Sequence, residues 1–142
     1  MAGKTSRTRI VLYLIGLLII AGGVAYALGP RPVADTGIDF NEASLPDDLD
    51  AYLAASEARF ADIRPDNQKQ IVWAYPASHA RTPLAIVYIH GFSASPGEIR
   101  PLPDLVAQKL GANLYFARLR GHGRSGDAML DGSVHGWVND FA

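Results

Sequence analysis

The sequence predicts an α/β domain preceded by one apolar helix of membrane-spanning length. Three observations predict it: an uncharged apolar run near the amino terminus, two strand-like segments that each end in a glycine-rich loop, and a helical pattern between those two segments. A strand, a helix and a strand within about 35 residues form the βαβ unit of a parallel sheet. We therefore expect a mostly parallel sheet with helices on both faces, preceded by one transmembrane or signal helix.

The composition is typical of a globular chain and excludes several functions. The 142 residues are 49% hydrophobic, which allows one domain with a core. The absence of cysteine excludes disulfides, thiolate catalysis and cysteine-ligated zinc. Four of the 13 Lys and Arg residues lie at or before Arg31, which leaves 9 cations against 14 anions in the rest of the chain. That acidic remainder is a poor candidate for binding nucleic acid.

The apolar run extends over residues 10–28 and contains no charge. At 1.5 Å per residue it spans roughly 28 Å, close to the thickness of a bilayer's hydrocarbon core. Basic residues precede it at Lys4, Arg7 and Arg9, and the next cation is Arg31. The positive-inside rule then predicts a single-pass anchor in the cell membrane, with residues 1–9 in the cytoplasm and the domain extracytoplasmic, or periplasmic in a Gram-negative cell.

A cleaved signal peptide is the alternative, because Ala25, Tyr26 and Ala27 form an A-x-A cleavage sequence. The apolar region of a signal peptide is normally shorter than this run, which favours an uncleaved anchor. Both alternatives export the domain, the second after cleavage near Ala27.

The rest of the chain divides into a linker over residues 29–43, punctuated by proline and glycine, and a domain over residues 44–142. The periodicity predicts a helix over 45–63 capped by Ser44 and Asp47, and a strand over 70–76. A continuous apolar run over 84–89 is typical of a central strand buried on both faces. Three further elements are predicted: a helix over 99–110 that ends at Gly111, a strand over 112–119 and a last helix from about 133.

Two glycine-rich loops, HGFSAS and RGHGRSG, follow the strands at 84–89 and 112–119. Because the carboxyl ends of parallel strands meet at one edge of the sheet, both loops should lie where ligands bind. The first loop has the features of an oxyanion hole, in which backbone N–H groups stabilise a developing negative oxygen. Glycine allows a sharp turn there and leaves room for a substrate. The predicted donor is the main-chain N–H of Phe92.

Together, IVYIHGFSASPGE and YFARLRGHGRS resemble the amino-terminal half of an α/β-hydrolase, of the serine esterase, lipase and monoglyceride-lipase-like branch that includes the serine aminopeptidase-like proteins. The resemblance covers about residues 70–142. It implies an ester or other acyl substrate and no cofactor. It also implies roles for seven residues: an oxyanion-hole N–H from Phe92, a turn shaped by His90, Gly91 and Ser93, and an active-site loop formed by Gly121, His122 and Gly123.

The sequence contains no G-x-S-x-G nucleophile turn. Residues 91–95 have serine in place of the last glycine, and residues 123–127 have aspartate there, so Ser93 and Ser125 are poor nucleophile candidates. In this family the triad order is serine, acid, histidine, and all three should follow the last predicted helix. We therefore expect the nucleophile, acid and base to be missing from this chain, and we interpret it as a hydrolase cut before its triad and inactive alone.

The four histidines show neither i, i+4 nor H-x-H spacing, so no metal site is predicted. His90 and His122 are expected to hold their loops rather than to act as bases, and His79 and His135 to be surface or helix-start residues. The alternative function is a non-catalytic, membrane-tethered binding or interaction module, although three parallel strands alone would leave a sheet edge uncovered. A phosphate or dinucleotide site is disfavoured because RGHGRSGD fits neither glycine-rich motif.

Overall fold

The structure is a computed structural model that describes residues 3–31 and 33–142. Met1, Ala2 and Pro32 lie outside the described residues, so the predictions that fall on them, in the segment 1–9 and in the linker, lie outside as well. The chain divides into two compact units, residues 1–33 and residues 34–142.

The first unit contains one helix, α1, over Gly3–Leu28. Its stretch Arg7–Leu28 has a mean hydropathy of 2.4, and the apolar window within it is not buried against other residues. By length and composition this helix can cross a membrane, although a signal sequence has the same properties. The predicted apolar run therefore lies within a single helix.

The second unit is a small mixed sheet with helices on both faces. Its helices and strands in chain order are α2 Leu49–Glu57, β1 Gln70–Val72, β2 Ala85–Ile89, α3 Leu102–Leu110, β3 Asn113–Ala117 and α4 Val134–Phe141. Short 3-10 turns lie at Glu42–Ser44, Pro96–Glu98 and Gly126–Asp131. β3 is the middle strand, with β2 parallel to it on one side and β1 antiparallel on the other. The fold is thus α/β in the general sense.

The core lies between β3 and α3. Leu114 and Phe116 of β3 are fully buried and form a cluster with Ala107 of α3. Tyr115 lies on the opposite face of β3, because successive side chains of a strand alternate. On that face Tyr115 lines a cavity together with Leu49 of α2, so α2 and α3 cover opposite faces of the sheet.

The expectation of parallel strands is wrong for β1. Gln70 at the start of β1 pairs with Phe116 near the end of β3, which makes the two strands antiparallel. Parallel strands of one sheet are joined by a crossover connection, usually a helix. The segment 73–84, which joins the two outer strands β1 and β2, contains no helix, and these two strands run in opposite directions. The antiparallel direction brings the residues before β1 to the edge at which β2 and β3 end.

Asn113 fixes the loop between β1 and β2. Its side-chain oxygen accepts the Ala74 N–H at 2.9 Å, and its side-chain nitrogen donates to the Ala80 carbonyl at 3.0 Å. Its own backbone N–H donates to the Thr82 hydroxyl at 3.0 Å. Asn113, at the start of β3, therefore holds the loop in shape by hydrogen bonds. No turn motif in the sequence predicted this role for Asn113.

The prediction of a central strand buried on both faces at 84–89 is also wrong. β2 is an edge strand, and Val87 and Ile89 are 51% and 45% exposed. The buried central strand is β3, whose Leu114 and Phe116 have no exposed surface. Both segments are apolar runs of similar length, and apolarity alone does not show which of two strands lies in the middle.

The helix limits also differ from the predicted ones. α2 is shorter than the predicted 45–63 because the carboxylate of Asp48 caps it, accepting the Ala51 N–H at 2.9 Å. The predicted cap, Ser44, ends a 3-10 turn, where its hydroxyl donates to the Asn41 carbonyl at 2.6 Å. By contrast, Gly111 ends α3 in the left-handed conformation with φ 61°, as predicted.

Candidate active site

The two glycine-rich loops lie side by side at one edge of the sheet. The last residues of β2 and β3, Ile89 and Ala117, are partners in the parallel register. His90 and Arg118 therefore leave the sheet together, and each begins one of the loops. This is the arrangement that the sequence predicts for the candidate site.

The first loop leaves the backbone N–H of Phe92 unused. The N–H of Ser93 donates to Nε2 of His122 at 3.2 Å, and that of Ala94 donates to the Gly91 carbonyl at 3.1 Å. Within residues 3–31 and 33–142, the N–H of Phe92 has no acceptor. Phe92 is also 75% exposed. An N–H without a protein partner, on an exposed residue whose following neighbours are held in place, suits the binding of an anionic oxygen.

The strained position of this turn is Ser93. Its φ is 63°, in the left-handed region that few residues other than glycine adopt, whereas Gly91 has no positive φ. A Cβ placed on Gly91 would meet no atom within 4 Å. The backbone at Gly91 therefore does not need glycine for a sharp turn. The open space beside Gly91 agrees with the other expectation, that glycine leaves room for a substrate.

His90 is buried between the two loops, at 3% exposure. Its Nε2 accepts the N–H of Leu119 at 3.1 Å, and its Nδ1 lies 3.0 Å from the Gly91 carbonyl. A carbonyl only accepts hydrogen bonds, so Nδ1 carries the proton and the ring is neutral. Burial lowers the pKa of His90, and the nearby His122 and Arg118 act in the same direction.

His122 makes the same kind of bonds from the second loop. Its Nε2 accepts the N–H of Ser93, and its Nδ1 lies 3.2 Å from the Arg120 carbonyl. The two histidine rings lie 4.8 Å apart. Each histidine therefore accepts an N–H from the other histidine's side of the site.

Gly121 and Gly123 have positive φ values of 82° and 68°. A Cβ on Gly121 would lie 2.7 Å from the carbonyl oxygen of Ala128. A Cβ on Gly123 would lie 3.0 Å from Cδ of Arg118 and 3.1 Å from Cβ of Asn67. Both positions need glycine for conformation and for space, because the second loop packs closely against the segment before β1 and the turn at 126–131.

Arg118 is a central residue of the site that sequence reasoning missed. It is 3% exposed and donates two hydrogen bonds of 2.7 Å to Glu57 and a third, of 3.1 Å, to the His122 carbonyl. Burial raises the pKa of Glu57, but the hydrogen bonds from Arg118 and from the Lys69 N–H outweigh burial and the net pKa is lowered. The available signal was an arginine inside the apolar segment YFARL, since a buried arginine needs a paired carboxylate.

α4 closes one side of the site. Nε1 of Trp137 donates to the Arg120 carbonyl at 2.9 Å, and the carboxylate of Asp140 accepts the Arg120 N–H. The Trp137 ring lies 6.3 Å from the ring of Phe92 and 5.8 Å from that of His122. Aromatic rings therefore surround the turn that carries the unused N–H.

No described serine is placed to act as a nucleophile. Ser125 donates its hydroxyl to Asp62 at 3.0 Å, and Ser93 contributes only its backbone N–H to His122. Throughout the described residues, no serine hydroxyl is hydrogen-bonded to a histidine ring. The described residues thus include an unused N–H at Phe92 but no serine activated by a histidine.

The other two histidine side chains make no hydrogen bond to either loop within the described residues. His79 stacks on Trp73 with ring centroids 4.7 Å apart, and His135 lies in the first turn of α4, 2.9 Å from Asp39. In the described part of the chain, no group of three or more His, Asp or Glu side chains could hold a metal ion. Phe92 lines none of three cavities of about 340 to 500 Å³ on the unit, although one of them reaches Arg120 and Asp140.

Comparison with known proteins found a partial relative. A stretch of 56 residues is 36% identical to the thermostable monoacylglycerol lipase of Bacillus sp. (strain H-257), and it covers 39% of this chain and 22% of that lipase. The chain thus spans about a fifth of the length of the curated relative that it matches. No protein-family model matches the chain, and no solved structure matches it. The similarity supports an α/β-hydrolase-like relationship over that stretch and extends no further.

Proposed function

We propose that the chain is the amino-terminal part of a membrane-anchored, extracytoplasmic serine hydrolase of the α/β-hydrolase type, which cleaves carboxylic esters by acyl transfer. The observation that carries this function is the unused N–H of Phe92 at the carboxyl edge of two parallel strands. When a nucleophile attacks an ester carbonyl, the carbonyl oxygen becomes an oxyanion. A fixed N–H directed at that oxygen lowers the barrier.

The surroundings of Phe92 suit this role. Oxyanion stabilisation depends on donors that are in place before the reaction, and hydrogen bonds to His122 and Gly91 hold the two residues that follow Phe92. The space beside Gly91 is open and gives room for an acyl group. The rings of Phe92 and Trp137 offer an apolar surface to its hydrocarbon part.

The function requires a serine nucleophile, an acid and a base from sequence beyond these 142 residues. Three observations support that part of the hypothesis. The chain has no G-x-S-x-G turn, and its similarity to a lipase covers 22% of the lipase. The described serines also lack a histidine partner, as shown above. In this view Phe92 supplies one donor of the oxyanion hole, and residues outside the chain supply the rest.

Membrane anchoring belongs to the same hypothesis. The length and hydropathy of α1 support it, and so do the basic residues before the apolar run. Residues 34–142 then lie on the extracytoplasmic side, where they meet a small-molecule ester or acyl substrate.

The DNA that follows codon 142 tests the hypothesis. We expect an open reading frame that encodes G-x-S-x-G within a few dozen codons. The chain extended by that frame should hydrolyse a p-nitrophenyl ester, and the 142-residue chain in detergent should not. The hypothesis fails if the 142-residue chain hydrolyses the ester and loses this activity in Ser93→Ala or Ser125→Ala.

A further inference from the structure

The two buried histidines of the site exchange hydrogen bonds across the two loops. His90, on the loop after β2, accepts the N–H of Leu119, which follows β3. His122, on the loop after β3, accepts the N–H of Ser93, which follows β2. We propose that His90 and His122 form a reciprocal clip that holds the Phe92 turn in place only while both rings are neutral, so that acid opens the turn.

The clip requires one protonation state of each ring. In both histidines Nδ1 faces a backbone carbonyl, that of Gly91 or Arg120, and Nε2 faces a backbone N–H. Only the neutral ring with its proton on Nδ1 satisfies both contacts. A proton added to Nε2 from solvent would place N–H against N–H, so Leu119 or Ser93 would lose its acceptor.

Ser93 connects the clip to Phe92. Ser93 is the next residue in the chain, and its left-handed backbone is a conformation that non-glycine residues adopt only when the surroundings hold them there. The bond from its N–H to His122 is the contact that holds it. Protonation of His122 therefore releases Ser93, and the N–H of Phe92 loses its fixed position. Both histidines are positioning residues, because neither touches the reacting atoms.

Charged groups near the two loops act on His90. Arg118, the first residue after β3, donates to the His122 carbonyl. Its partner Glu57 already accepts two of its hydrogen bonds. From the 3-10 turn after the first loop, Glu98 is the one anion that favours a charged His90, whereas His122 and Arg118 disfavour it. α4 contributes the uncharged ring of Trp137.

The sign of the pH effect follows from burial. Because the pKa of His90 is lowered from its ordinary value of about 6.5, the folded chain binds fewer protons than the unfolded chain below that pH. The contribution of His90 to the clip is therefore fully present above about pH 6.5. It is lost as the pH falls below that value and through the lowered pKa of the folded state.

NMR of the full 142-residue chain in detergent micelles tests the clip. At pH 8 we expect ¹⁵N spectra of the rings to show the Nδ1–H tautomer for both His90 and His122. As the pH is lowered from 8, the ¹⁵N shifts report whether either ring gains a proton at Nε2. When a ring gains that proton, the protection factor of the amide bonded to it, Ser93 for His122 and Leu119 for His90, should fall at least tenfold relative to pH 8.

Two variants at position 122 separate positioning from simple packing. The amide oxygen of His122→Gln is an acceptor near the place of Nε2 and does not titrate, so the Ser93 amide should stay protected from pH 8 to 5. In His122→Ala that amide should exchange fast at every pH. His79→Gln, at a histidine outside the site, is the matched control and should exchange like the unmodified chain.

An Nε2–H tautomer for either histidine would overturn the clip, and so would titration of both rings without a change at Ser93 and Leu119. If His122→Ala does not fold, the tautomers and titration of the unmodified chain still decide the question. The clip rests on the proposed function in one respect: the role of the Phe92 turn as an oxyanion donor. None of these measurements uses ester hydrolysis, so a failed esterase assay overturns the function and leaves the clip unaffected.

Discussion

Arg118 donates two hydrogen bonds of 2.7 Å to the two carboxylate oxygens of Glu57, and both side chains are almost completely buried. The pair joins the last residue of α2 to the first residue after β3. Through its third bond, to the His122 carbonyl, Arg118 also fixes the second loop of the candidate site. The geometry of that loop therefore depends on an ion pair between distant parts of the sequence.

Removing one member of this pair should cost a large part of the stability of the domain. In Glu57→Ala, Arg118 stays buried without a counter-charge, and such a change typically costs about 3 to 5 kcal/mol. Urea unfolding in detergent, followed by tryptophan fluorescence, measures the free energy of unfolding. Asp104→Ala is the control, because it breaks the more exposed pair with Arg100 and should cost about 1 kcal/mol or less. Equal losses in the two variants would contradict a structural role for the buried pair.

The second loop should not tolerate a side chain at Gly121. Alanine there would need a positive φ, at a cost of about 1 to 3 kcal/mol, and its Cβ would clash with the Ala128 carbonyl. We expect a lower Tm for Gly121→Ala than for Gly126→Ala. Gly126 is the matched control, since its φ is not positive and a Cβ there meets no atom within 4 Å. If both variants unfold at the same temperature, the loop is not packed as described.

The role of Phe92 can be tested with two substitutions in the chain extended past residue 142. Phe92→Pro removes the N–H, and Phe92→Ala keeps the N–H but removes the ring. If the N–H stabilises the oxyanion, the proline variant should lose about 10² to 10³ in kcat. The alanine variant should change mainly KM, because the ring contacts the substrate rather than the developing charge. Similar kcat values for the two variants would exclude the N–H as the donor.

The structure also predicts an unusually acidic carboxyl outside the site. Hydrogen bonds from Arg124 and then from Ser125 hold the pKa of Asp62 at about 2, below its ordinary value of 3.8. Because the folded pKa is the lower one, the stabilising effect is present above about pH 3.8 and is lost as the pH falls through about 2. A ¹³C titration of the carboxyl measures this pKa directly. Ser125→Ala removes the hydroxyl but keeps the backbone N–H, and it should raise this pKa. An unchanged value would show that the hydroxyl does not contribute.

Local patterns predicted the location of the candidate site, because the features that define it lie close together in the sequence. His90 to Ser93 follow one strand directly, and Gly121 to Gly123 follow the other. The apolar runs gave the strands, and the parallel pairing of β2 with β3 brought the two loops together. Gly111 ended α3 as predicted for the same reason, since a helix end is a local feature.

Relationships between distant residues were not predictable in this way. The direction of β1 depends on its pairing with β3, more than 40 residues away, and the β1 sequence carries no sign of that direction. Glu57 and Arg118 are 61 residues apart, and the sequence around each residue does not indicate which residue it pairs with. The position of β2 at the edge likewise follows from tertiary pairing, because β3 pairs with β2 on one side and with β1 on the other and so becomes the middle strand. These are tertiary contacts, and single-sequence periodicity does not contain them.

The apolar helix provides the last prediction. If α1 spans a membrane, the full chain should remain in the membrane fraction after a carbonate wash, and its mass should include residues 1–28. Leu18→Arg places a charge in the middle of the apolar run, which costs about 2.5 to 3.5 kcal/mol for insertion. That variant should move part of the chain to the soluble fraction.

Leu130→Arg is the control for this experiment, because Leu130 is 90% exposed and lies in the 3-10 turn Gly126–Asp131, far along the chain from α1. It adds the same charge, so any difference between the two variants reports the position of the arginine rather than its presence. A signal peptide gives a different result in the unmodified chain. Cleavage after Ala27 would leave a soluble product that begins at Leu28 and has the corresponding mass. Finding that product would exclude the anchor and would still agree with export of the domain.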